Sequence, residues 1–115
     1  MRKFLANAFS LQMCKEFPAN ISVETLENTP NLSECISVIG HQDLANILGV
    51  PMNRQSIQLE KNDVLIVAQV MGGRLPEGST TLPEGVKIQF VEVTVAYPIN
   101  DMLAYGDALH IIDKI

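Results

Sequence analysis

Chemistry has few places to reside in this chain. Its 115 residues hold two histidines, two cysteines and eight Lys or Arg residues. His41 lies in "CISVIGHQDLANILG", between a β-branched run that stops at Gly40 and an apolar repeat of helical spacing, Leu44, Ile47 and Leu48. A strand-to-helix junction gathers free backbone N–H groups and partial positive charge, and so welcomes a phosphate oxygen. That field disfavours imidazolium, but a bound phosphodiester favours it, and the ring could then protonate a leaving oxygen. The plainer reading, and the one position alone favours, is a histidine that caps a helix.

The arginines are Arg2, Arg54 and Arg74. Arg54 stands in "PMNRQS", ahead of a strand. Arg74 stands in "GGRLPEG", where a guanidinium on a loop could close over a phosphate with bidentate geometry. Each is equally readable as a solvated surface charge. Gln69 interrupts an apolar strand; if buried it needs partners, from neighbouring backbone or from a cavity at the sheet end. Other chemistries lack their parts. His110 lies in the tail and no G-x-S-x-G exists for a serine nucleophile. No phosphate-loop or dinucleotide fingerprint is present either. Cys14 and Cys35 carry no C-x-x-C pattern, so they read as buried thiols in a reducing compartment rather than zinc ligands.

These residues must be positioned by a single domain, since 115 residues make one core. A hydrophobic content of 47% fits a folded chain. A net charge of −5 argues against a broad DNA-binding face, though a local anion site remains compatible with it. The apolar stretch at the N-terminus is interrupted by Asn7, Ser10 and Gln12 and is too short for a secretory signal. No stretch approaches a membrane span, which points to the cytoplasm. The sequons at Asn20 and Asn31 then carry no meaning as glycan sites.

Along the chain, Lys3–Ala8 reads as a strand, and Ser10 as the cap of a short helix ended by Pro18. "NISVETL" and "ECISVI" read as strands. The helix after His41 is closed by Gly49 and Pro51. "QSIQLE" and "DVLIVAQVM" read as a hairpin turned at "KND", the second strand buried on both faces. "GGRLPEGSTTLPEG" is a long loop of the kind that is usually functional. "VKIQFVEVTV" is the last clear strand, and the tail from residue 97 offers a helix starting at Asn100. Together these give a small single α/β domain, a mixed central β-sheet flanked by helices, with ligands expected at the carboxyl ends of strands.

At this point "LANAFS", "IGH" before a helix, "NR" before a hairpin, a strand ending in Gln, and "RLPEG" occur in an order that resembles the viral anti-CRISPR ring nucleases. The resemblance covers about Lys3 to Val95. It implies a two-fold homodimer that binds cyclic tetra-adenylate and cleaves it, without metal or other cofactor, to linear di-adenylate, silencing type III CRISPR signalling. It also implies that no membrane is involved. Carried over residue by residue, it puts the catalytic histidine on His41 and ligand contacts on Asn7, Ser10, Arg54, Gln69, Arg74 and Glu77. The chain departs from the family pattern at Gly72-Gly73, which lengthens the loop, and at "QDLAN", where many relatives carry threonine. Two alternatives stand beside it. One is a protein that sequesters the messenger without cutting it; the other is an interaction or regulatory protein of a mobile element.

Overall fold

The computed structural model describes residues 2–7, 19–53, 57–97, 102–104 and 109–111. Its centre is a five-stranded sheet ordered β2-β6-β5-β1-β3. These strands are β1 (Lys3–Ala6), β2 (Ile21–Leu26), β3 (Ile36–Ser37), β5 (Val64–Met71) and β6 (Lys87–Val95). β1 runs parallel to both β3 and β5, whereas β6 is antiparallel to β5 and to β2. The sheet is mixed, as the strand pattern predicts.

β5 shows why the sheet holds. Its β-branched and aliphatic side chains alternate between two buried faces. Leu65 and Val67 join Phe4, Ala6, Leu59, Val91, Val93 and Val95 on one side. Val64, Ile66 and Ala68 join Leu5, Ile39, Leu44, Ala45 and Phe90 on the other. Each large aliphatic side chain so buried contributes about 1.5–3 kcal/mol. The second face is covered by helix α1 (Gln42–Leu48), which buries Leu44 and Ala45. Gly49 ends that helix at φ 72°, a left-handed position suited to glycine.

The amino ends of β1 and β5 are pinned together. Arg2 donates from Nε to Asp63 Oδ1 at 3.1 Å and from Nη2 to Asp63 Oδ2 at 2.6 Å. Asp63 is buried, and its Oδ2 also accepts the Glu60 amide at 2.7 Å. The hydrogen bond to Asp63 raises the Arg2 pKa further. One of three arginines is thereby committed to structure, at the sheet end opposite the parallel strands' carboxyl ends.

Three sequence expectations are corrected here. "QSIQLE" and "DVLIVAQVM" do not form a hairpin. β4 (Ile57–Gln58) belongs to a second sheet ordered β4-β7-β8 and pairs with β7 (Met102–Ala104). Both edges of β5 are already occupied, by β1 and β6, so β4 has no place beside it. The helix expected from Asn100 is replaced by β7 and β8 (Leu109–Ile111), an antiparallel pair in the described residues. There, pairing with β4 overrides a weak local preference. "ECISVI" is strand only at Ile36–Ser37, preceded by a 3-10 turn at Leu32–Glu34 that Asn31 caps by accepting the Ser33 amide. The helix expected after Ser10 lies outside the described residues. Cys35 is half-buried, and desolvation raises its thiol pKa.

Candidate functional site

The three parallel strands β3, β1 and β5 point their carboxyl ends the same way, and each leads into chemistry-bearing residues. β1 runs into Asn7. The chain after β3 passes through buried Val38 and Ile39 to Gly40 and His41. β5 ends in Gln69, Val70 and Met71 and continues into the loop that carries Arg74. Between them lies a cleft of about 450 Å³, lined by Asn7, His41, Leu44, Gln69, Arg74 and Leu75 together with Val70, Met71 and Gly73. Residues far apart in sequence thus meet where an α/β sheet habitually holds its ligands.

His41 is the N-cap of α1. Its backbone is extended, at φ −121° and ψ 111°, and its Nδ1 accepts the Leu44 amide at 3.2 Å. An amide N–H is always a donor, so Nδ1 must carry the lone pair and Nε2 the proton. The cap therefore occupies Nδ1 of an exposed ring and leaves Nε2 outside it. Asn7 supports the corner: its Oδ1 accepts the Gly40 amide at 3.2 Å, tying the end of β1 to the residue before His41. Asn7 is partly a positioning residue, a role that its sequence position did not reveal.

Gln69 lies opposite Gln89 in the β5–β6 register and is half-buried at the cleft. Among the described residues neither the Gln69 amide nor the Arg74 guanidinium has a hydrogen-bond partner, so both are left to solvent or to a ligand. Arg74 is held by the loop's construction. A Cβ on Gly72, at φ +88°, would run into the Gly85 carbonyl oxygen, so the loop closes at a glycine neck. Leu75, just past Arg74, packs against the α1-side core. Of the two adjacent glycines, Gly72 is the one the neck requires.

The lining carries one imidazole, one guanidinium and two carboxamides, with no acidic group among its described residues. Leu44, Val70, Met71 and Leu75 give it apolar walls. Such a cleft suits an anionic ligand that also presents flat, weakly polar surface. Of the residues named from sequence, Asn7, His41, Gln69 and Arg74 are brought together. Glu77 is exposed on the same loop, outside the lining. Ser10 and Arg54 lie outside the described residues. The apolar walls were missed; their signal was the hydrophobic residue that directly follows the polar one, as in "QVM" and "GRL".

Among the described residues no helix is long and apolar enough to cross a membrane. No curated protein matches the chain. A family model does match, over residues 3–92 of the 115, a span that contains every described wall of the cleft. The chain belongs to the STIV B116-like family, a family of small archaeal-virus proteins.

Proposed function

We propose that the cleft binds cyclic tetra-adenylate across a two-fold homodimer and cuts it to linear di-adenylate, switching off type III CRISPR signalling. The observation that carries this reading is the convergence of Asn7, His41, Gln69 and Arg74 on one cleft with no described acidic wall. The family resemblance read from sequence names the same four residues. A ribonucleotide ring supplies its own nucleophile, so the protein needs to orient, to neutralise and to protonate.

A 2′-oxygen attacks the adjacent phosphorus, the P–O2′ bond forms and the P–O5′ bond breaks. The 2′-hydroxyl proton passes to solvent, and the departing O5′ takes a proton from His41 Nε2. Arg74 donates to the phosphoryl oxygens as charge develops on them, with Arg54 assigned the same task by resemblance. Two such cuts, one per subunit, give two di-adenylates ending in 2′,3′-cyclic phosphate.

The cap imposes a condition on this step. With Nδ1 accepting from Leu44, the ring is neutral, and loss of the Nε2 proton would leave an imidazolate. To act as general acid His41 must also be protonated at Nδ1, which ends the cap bond. A cap is worth about 1 kcal/mol, a modest cost against pairing imidazolium with a phosphodiester. General acid catalysis then adds about 10²–10⁴-fold.

The same cap supports a second reading, a protein that sequesters the ring, with His41 purely structural. Incubation of the purified protein with cyclic tetra-adenylate in EDTA, beside His41→Ala, separates the two. Di-adenylate from the parent alone supports the enzyme. An intact but bound ring in both supports sequestration. An intact and unbound ring in both rejects each.

A further inference from the structure

The loop from Gly72 to Gly85 touches α1 at a point not accounted for by the cleft. The Gly78 amide donates to Asp43 Oδ2 at 3.2 Å, across 35 residues of sequence. Gly78 sits at φ +81° inside a turn in which Ser79 donates twice to the Pro76 carbonyl, from its amide at 3.1 Å and its Oγ at 2.6 Å. A built turn therefore presents this amide. Asp43 stands in the first turn of α1, two residues after His41. Apart from the Val86 amide's bond to the Pro83 carbonyl at the loop's own end, this is the one hydrogen bond among the described residues that joins residues 76–84 to the rest of the chain.

The loop is thus fixed at three places: the glycine neck, Leu75 against the core, and Gly78 on Asp43. Arg74 lies between the first two, and the third ties the loop beyond Leu75 to α1. We propose that Asp43 is a positioning residue, whose carboxylate holds the loop on α1 and so keeps Arg74 and Leu75 set opposite His41 and Leu44. Its consequence for ligand retention rests on the cyclic tetra-adenylate reading; its consequence for loop order does not.

The tie needs an acceptor, not a charge. Asp43→Asn keeps a carbonyl oxygen at the same position, whereas Asp43→Ala removes it. Both variants lose the acidic charge near the helix start, so the contrast between them isolates the hydrogen bond. A net hydrogen bond corresponds to about three- to tenfold in an opening equilibrium. Amide exchange at Gly78, measured by NMR on the unliganded protein, is expected to accelerate by that factor in Asp43→Ala and to change less than about twofold in Asp43→Asn. Dissociation of cyclic tetra-adenylate, measured for the same substitutions in a His41→Asn background that keeps the cap and leaves the ring uncut, is expected to accelerate with Asp43→Ala alone. Equal Gly78 exchange in parent and Asp43→Ala overturns the tie. Faster exchange with unchanged ligand dissociation overturns the positioning role. Should the parent bind no ring, the functional reading fails by itself, and exchange at Gly78 alone upholds or overturns Asp43.

Discussion

At the scale of single residues, the proposed function would have His41 satisfy two demands with one ring. Nδ1 closes the first turn of α1, while Nε2 is the nitrogen left for a ligand. Asparagine is among the best N-caps and has no acid chemistry to offer, so it separates the two roles. His41→Asn is expected to unfold within about 0.5 kcal/mol of the parent in urea, and His41→Ala about 1 kcal/mol earlier. Both are expected to lose about 10²–10⁴-fold in ring cleavage. An Asn variant that cleaves at the parent rate would reduce His41 to a cap. Position in the sequence was enough to put His41 at a strand-to-helix junction, because Gly40 and the Leu44–Leu48 stripe mark both sides of it. The Asn7 bond to Gly40 was not legible, since it joins residues 33 apart whose meeting depends on β1 lying beside β3.

Among the elements, those that local pattern specifies strongly are the ones the sequence reveals. β2, β5, β6 and α1 carry long alternation, continuous burial or an amphipathic stripe with a glycine stop. β4, β7 and β8 are two or three residues long, and their partners are set by which sheet edges remain open. No local signal contains that information. The loop after β5 is intermediate: its glycines announce a loop, but only the structure shows that Gly72 meets Gly85. This gives a graded prediction. At Gly78 a Cβ would meet nothing within 4 Å, so Gly78→Ala costs only the left-handed backbone, about 1–2 kcal/mol. Gly72→Ala adds a collision with backbone, and is expected to cost about 3 kcal/mol or to force the neck open. Urea midpoints of the two variants check the order. Equal costs would mean that the neck is looser than described.

For the whole molecule, the proposed function raises the question of how an acidic chain of net charge −5 would retain a tetra-anionic ring. Charge spread over the surface cannot do it, and a single Arg74 in a cleft of about 450 Å³ meets part of such a ligand only. Two copies related by a two-fold axis would present two His41 and two Arg74 side chains. A four-fold ring contains a two-fold axis, so the symmetries are compatible. Completing the site through dimerisation makes stoichiometry the decisive quantity. Calorimetry is expected to give one cyclic tetra-adenylate per two chains, with cleavage falling off on dilution as the dimer separates. Because the ring offers four phosphates, the slope of log affinity against log salt is expected to be no steeper than about −3, at roughly 0.7 per phosphate contact. A ratio of one ring per chain would place a complete site in each monomer and remove the symmetry from the mechanism. A steeper slope would mean that phosphates beyond the ring's own are being contacted, and would redirect attention to a longer nucleic acid as the ligand.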